Sequence, residues 1–360
     1  MSKRQLARNA IKEQIENSKS IHPGLLLQKG LPEIENNDQD ESKQTDSNSP
    51  HCKTDHIKKI CTLPITEGYK KAFDRWFDLT ADSERFQHCI LKLENRLFIG
   101  LSGTGALETG CALNHCYGMP YIPGSTVKGV VLSWAEKHLP IDKQAIIQQL
   151  LGTPKTDELP DLAGLVNFYD AWWVPINNTG PFIQEVVTSH HQEYYGNSGK
   201  TAATDLDSPI PNALIAVQGS FLFVLSGRAD YCEKIIEILN RALSDIGVGA
   251  KTAAGYGYMV SDKAQLQQLE SESKNRKNSL DYIRATITLN PGSGAITATV
   301  IMEGKPITTA PIRGDDAKKL IAKIPENERK GKKIKSGNLP AMARVFENGN
   351  KFELLDIKIE

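Results

Sequence analysis

"GVGAKTAAGYGYM" (Gly247–Met259) sets the reading of the whole chain. Four of its thirteen residues are glycine. Before it stands "DYCEKIIEILNRALSDIG", where Ile235, Ile236, Leu239 and Leu243 recur at helical spacing. After it the chain continues as strand-like "YGYMVS". The order is helix, glycines, strand. A dinucleotide fingerprint runs the other way, from strand through glycines to helix, so that the helix N-terminus meets the pyrophosphate. A P-loop needs G-x-x-x-x-G-K-[ST], and "GAKT" places an alanine between glycine and lysine. Nucleotide binding is thereby excluded on context. Two readings stay open. The glycines can serve a tight turn, with Lys251 in solvent. Or the loop exposes backbone N–H groups at Gly249 and Gly255, the Lys251 charge, the Thr252 hydroxyl and the Tyr256 and Tyr258 rings to a single-stranded phosphodiester chain.

Working outward, "FQHCILKLENRLFIGLSG" reads as a first core strand. "STVKGVVLSWAEKHL" follows the turn "YIPG", with Ser125 expected as N-cap and Val127, Val130, Val131 and Trp134 at helical spacing. A second helix is expected over 142–151. "GLVNFYDAWWV", "FIQEVVTSHH" and "ALIAVQGSFLFVLSG" read as strands. Strands broken by helices on one face indicate an α+β fold, a ferredoxin-like (RRM-like) βαββαβ unit with insertions. The expected organisation is an N-terminal segment (1–32) with a short amphipathic helix on Leu6, Ala10, Ile11 and Ile15. A flexible polar linker (33–56) follows, then the ferredoxin-like domain (57–261), a helical connector (262–280) and a small, β-rich, barrel-like C-terminal domain (281–360). The stretch "IKKICTLPITEGYKKAFDRWFDLT" reads as two helical pieces broken near Pro64.

Composition sets the limits. Across 360 residues the hydrophobic share is 39%, the charged share 24% and the net charge zero, so any nucleic-acid surface is local. No apolar run approaches membrane-spanning length and the start lacks a secretory core, which gives a cytoplasmic expectation and no membrane partner. The six cysteines form no C-x-x-C pair. Cys111, His115 and Cys116 are close in sequence, but no second ligand pair follows, so neither metal nor cofactor is expected. The run "RKGKKIKSG" gathers Arg329, Lys330, Lys332, Lys333 and Lys335 into a basic loop, read equally as a solvated face or a nucleic-acid contact.

Four stretches carry a family resemblance: the glycine loop, "LETGCALNHCYGMPYIPGSTVKG" (Leu107–Gly129), "VVTSHHQEYYGNSG" (Val186–Gly199) and "GLLLQKGLP" near the start. Together they resemble the RAMP superfamily, the repeat-associated subunits of CRISPR effector complexes, and within it the sixth-subunit family of the type III-B (Cmr) complex. The resemblance covers roughly 21–31 and 86–260. It departs from the family pattern at Thr126 and Val127, where Ser-Leu is usual. It implies a non-catalytic, RNA-binding subunit at one end of a filament, in antiviral defence, holding guide RNA (crRNA) or the guide–target duplex. The implied partners are guide and target RNA, the backbone RAMP subunits and the small subunit. A guide-processing endoribonuclease and a protein-only scaffold are the alternatives.

Residue roles follow. Lys128, in the first turn of the helix after "PGS", is expected to hold a phosphate, chiefly because of the resemblance. Lys251 and Thr252 are expected to grip phosphates beside Gly249 and Gly255, with Tyr256 stacking on a base. His190, His191, Tyr194 and Tyr195, with Lys200, are expected at an RNA or subunit contact. A general base, a metal site and a purely structural role are the other readings of the His pair. For Asp205 and Asp207, turn roles before Pro209 are expected over catalysis.

Overall fold

The computed structural model describes residues 2–5, 13, 15, 21–31, 33–36, 50–102, 107, 109–153, 162–176, 179–207, 209–278, 282–290, 292–302, 304–329, 331–335, 339–348 and 351–359. Most of the expected helix at 6–15 and residues 37–49 of the expected polar linker lie outside these. The chain divides into two compact units. One comprises 1–73 and 82–266, and the other 74–81 and 267–360.

In the first unit, helices α1 (Pro23–Lys29), α2 (Pro50–Cys61) and α3 (Glu67–Leu79) precede the sheet; α3 runs on past residue 73. Helix α2 claims the last seven residues of the expected linker. Proline suits its first turn. It is fixed through long-range partners: Ile57 and Ile60 are buried, and the His56 ring lies 2.9 Å from the Leu26 carbonyl oxygen. Burial pushes the His56 pKa down, toward the neutral ring that such a site tolerates.

Strands β1 (Phe86–Leu93) and β2 (Tyr121–Ile122) are followed by α4 (Gly124–His138) and α5 (Ile141–Leu151). Then come β3 (Asn167–Phe168), β4 (Ala171–Trp173), β5 (Phe182–Ser189), β6 (Ile210–Val217), β7 (Ser220–Ser226), α6 (Ala229–Asp245) and β8 (Met259–Ser261). The sheet order is β8-β1-β7-β4-β2, all antiparallel, with β3 also on β7. Setting aside the edge strand β2, the main strands in chain order are β1, β4, β7 and β8, arranged fourth-first-third-second. With α4 between the first and second and α6 between the third and fourth, this is the expected ferredoxin-like βαββαβ arrangement. Strand β7 is the apolar run "SFLFVLS". Its Phe221, Phe223 and Leu225 join Val127, Val131, Ile235, Leu239 and Leu243 in one core. Ile236 is only half-buried on this face. Trp134 Nε1 donates to Asp245 Oδ2 at 2.7 Å, joining α4 to the end of α6.

"ALIAVQGSFLFVLSG" proves to be two strands serving two sheets. Gly219 (φ +102°) separates β6, which pairs along its full length with β5, from β7 in the main sheet.

The second unit includes α7 (Lys263–Asn278) from residue 267 onward, so the expected connector is helical and joins the tail. Strands β9 (Ile283–Leu289), β10 (Ile296–Met302) and β11 (Lys305–Thr308) lead to α8 (Gly314–Ala322), then β12 (Leu339–Asn348) and β13 (Lys351–Ile359). Their order is β11-β10-β9-β12-β13. Just past β11, the Ala310 amide donates to the Phe352 carbonyl of β13 at 2.7 Å, tying the two edges together. That bond brings the open sheet toward the barrel expected from its alternating strands. In the basic run, Arg329 donates to the carbonyls of Ile324 (2.6 Å) and Ala322 (2.8 Å), while Ile334 is fully buried in the tail core. The expected loop is thus two short helical turns, Glu326–Arg329 and Lys332–Lys335, and Arg329 is occupied with capping carbonyls.

Candidate nucleic-acid interface

The glycine loop sits where β1 ends. The Ala250 amide donates to Phe98 O (2.8 Å), Val248 N to Gly257 O (3.0 Å) and Gly257 N to Arg96 O (2.7 Å). These bonds press the loop backbone onto the segment after β1. A Cβ on Gly249 would lie 2.2 Å from Phe98 O, and one on Gly257 only 1.9 Å from Val248 O. The tight-turn reading therefore holds for these two glycines. Gly255 (φ +88°) faces open space, so its conformation alone selects glycine, but its N–H, expected to be open to a phosphate, already closes the turn by donating to Thr252 O at 2.9 Å.

Lys251 is the exception inside the loop. It adopts φ +61°, ψ +34°, the left-handed region, with an exposed side chain. A non-glycine residue there costs about 1 kcal/mol or more. It opens a 3-10 turn, Thr252–Ala254, in which Thr252 is half-buried. The Tyr256 ring packs on Phe98 at 4.6 Å between centroids, in a small cluster with Leu214, Ala216, Ile183 and Val187. One face of Tyr256 is thereby committed to packing. The same cluster joins the loop to the β5–β6 hairpin, and Arg96 forms an ion pair with Glu185 beside it. Arg96 and Phe98 have no signature in the sequence; only the folded register brings them here.

His190, His191, Tyr194, Tyr195 and Lys200 stand at the other end of the hairpin. Eight paired residues, about 27 Å, separate that tip from the base. His190, Tyr194, Tyr195 and Lys200 are exposed. The two tyrosines meet edge-on at 5.3 Å. His191 Nδ1 lies 2.8 Å from Asp207 Oδ2, and Asp207 also accepts from Thr204 Oγ1 (2.7 Å) and Thr204 N (3.2 Å). Asp207 thus clamps the two ends of the tip loop through residues that precede it. The His191 hydrogen bond first, then those from Thr204, pull its carboxyl down to about 2. A carboxyl lowered on folding contributes its tie at pH above about 4 and loses it as pH falls through its folded value. Followed by carboxyl NMR, Asp207 is expected to titrate near pH 2 and to move up toward 4 in His191→Ala. A wild-type midpoint near 4 would show the clamp is not formed.

Lys128 is the fifth residue of α4 and half-buried, and the start of that helix differs from expectation. Pro123 occupies the N-cap of α4 without a side-chain bond, and Ser125 lies inside the helix. The Gly124 amide donates instead to Asp170 Oδ1 at 2.8 Å. A carboxylate already holds the positive helix end, which weakens its pull on a phosphate. Gly124 also lies against Phe168, which pairs with Leu225, whereas the glycine loop lies beside Leu97, which pairs with Val217. The helix start and the loop sit toward opposite ends of β7, so a single groove containing Lys128 and Lys251 is not formed by adjacency. Burial pushes the Cys111 thiol up to about 12, unlike a metal-ready thiolate. Among the described residues no group of three His, Cys, Asp or Glu is placed to hold a metal, and no helix is long and apolar enough to cross a membrane.

Residues 90–260 match the RAMP superfamily. The chain is 27% identical to the CRISPR system Cmr subunit Cmr6 of Pyrococcus furiosus, over 54% of this chain and 73% of that one. It is 28% identical to the Cmr6 subunit of Saccharolobus solfataricus, over 56% of this chain and 66% of that one. Among solved structures, a chain of the type III-B Cmr-beta bound to cognate target RNA superposes with a TM-score of 0.51 at 19% identity, covering 70% of this chain and 95% of that one. That last likeness is one of fold. The resemblance read from the four sequence stretches is borne out.

Proposed function

We propose that this chain is an RNA-binding, non-catalytic subunit of a type III-B CRISPR ribonucleoprotein, holding guide RNA or the guide–target duplex at one end of the assembly alongside other Cmr subunits. The observation that carries the reading is Lys251: a lysine in left-handed backbone, exposed at the crest of a loop whose flanking glycines are fixed by close approach. A turn alone would be served better by glycine at that position. Its exposed charge at the crest of the loop suits a phosphate.

Lys251→Gly separates the two roles. It is expected to leave stability unchanged or raise it by up to about 1 kcal/mol, while RNA affinity falls by about tenfold and the salt dependence becomes shallower. Lys251→Glu is expected to weaken binding further. RNA affinity untouched in both variants would end the reading that the glycine loop holds RNA, and no RNA affinity at all would leave a protein-only scaffold. The His191–Asp207 pair favours a second reading, because a carboxylate-oriented imidazole suits a general base. Metal-independent cutting of repeat RNA, lost in His191→Ala or His190→Ala, would establish that enzyme instead.

A further inference from the structure

The C-terminal unit carries a connectivity of its own. Three strands, a helix and two strands follow in sequence, in spatial order β11-β10-β9-β12-β13, with the segment after β11 returning to β13 through the Ala310–Phe352 bond. This is the ring order of a five-stranded OB-type barrel, a scaffold that binds oligonucleotides on its surface. Connectivity alone assigns no function; the side chains do.

On the outward face the register sets Arg284 (β9), Met342 (β12) and Lys358 (β13) in one row. Beside it lie Tyr282, Arg344 and Asp356. The Arg344 guanidinium stands 4.5 Å and the Lys358 ammonium 4.1 Å from the Tyr282 ring centre. Further along β12, Lys277 stands 5.3 Å from the Phe346 ring. Arg284 and Lys358 are exposed, and Arg344 Nε is buried without a hydrogen-bond partner among the described residues. The acid in this patch, Asp356, is committed to Tyr282 Oη (2.6 Å), Lys323 Nζ (2.5 Å) and the Ile357 amide (2.8 Å). Glu353, opposite Phe346, marks the limit of the patch. Residues 281–360 hold fourteen Lys and Arg against ten Asp and Glu, a surplus of four in a chain of zero net charge.

We infer that this face is a second nucleic-acid site, outside the RAMP-matched segment, that takes single-stranded RNA. Tyr282 holds two cations in place before a ligand arrives, so little ordering is lost on binding. Arg284, Arg344 and Lys358 present donors to successive phosphates. The row spans two strand spacings, about 10 Å, which suits one phosphodiester chain and is narrow for a duplex. Contacts of this kind are independent of sequence and sensitive to salt.

The test uses the full chain and a fluorescein-labelled oligouridylate of about twenty nucleotides, read by anisotropy across a salt series. The double variant Arg284→Glu/Lys358→Glu is expected to weaken binding by at least about tenfold. For the charge-neutral pair Arg284→Gln/Lys358→Gln, the log–log salt slope is expected to fall by about 1.4, two contacts at roughly 0.7 each on a single strand. Both pairs are at exposed positions, and circular dichroism checks that each folds. Loss in these variants on a Lys251→Glu background as well assigns the binding to the barrel independently of the glycine loop. Unchanged affinity and slope in both pairs would overturn the inference, as would equal competition by a duplex of the same length. Loss at the barrel with no effect of Lys251→Glu would sink the loop reading and leave this one standing.

Discussion

Gly257→Ala is expected to destabilise the first unit by about 3–5 kcal/mol. The residue stands at φ +79°, and the added methyl would meet Val248 O at 1.9 Å. That oxygen is backbone, so no side chain can swing away. Relief requires the loop to open, which breaks Val248 N–Gly257 O and Gly257 N–Arg96 O together. Gly255→Ala is the internal comparison. Its φ is similarly positive, but nothing lies within 4 Å, so only about 1 kcal/mol is expected. Denaturant unfolding of the two variants measures the difference. Equal and small losses would mean the loop is not held against Arg96 and Phe98. RNA retention should follow the same order, because Lys251 owes its position to these bonds.

Arg276→Met is expected to cost about 3–5 kcal/mol in the second unit. Arg276 donates to the nearly fully buried Asp78 through Nε (3.1 Å) and Nη2 (2.8 Å), and Ser273 Oγ donates to the same carboxylate. Nη1 also reaches Asp74 at 3.3 Å. Burial raises the Asp74 pKa, and Arg276 opposes that rise. Removing the guanidinium leaves Asp78 charged and nearly without solvent, which is far costlier than the pair itself is worth. Asp78→Leu/Arg276→Met is accordingly expected to lose less than Arg276→Met alone. A single variant within 1 kcal/mol of wild type would show that water reaches the carboxylate.

The ferredoxin-like core was legible because its signals are local. The "FLFVL" run of β7 is apolar throughout and lies in the sheet centre, and the 235–243 spacing marks the buried face of α6. The glycine loop was legible as a turn between the last helix and the last strand. Where the reading failed, the deciding partner is distant in sequence. The side chain that accepts from the start of α4 is Asp170, forty-six residues from Gly124, so a serine at the right local position looked sufficient. The first seven residues of α2 were hidden in a polar stretch; Ile57 and Ile60, which pack with Leu26 and its neighbours, lie just beyond it in the piece already read as helical. Lys128 and Lys251 each carry a phosphate-binding signature, yet strand register, invisible in composition, sets their elements toward opposite ends of β7. Tip and base of the hairpin are parted for the same reason.

The separate cores built on Phe221 and on Ile334 have a bearing on cooperativity. Heat need not melt the molecule in a single event, and a calorimetric trace resolves into components with their own enthalpies. No one midpoint then describes this chain, and a substitution is meaningful only when credited to the transition it shifts.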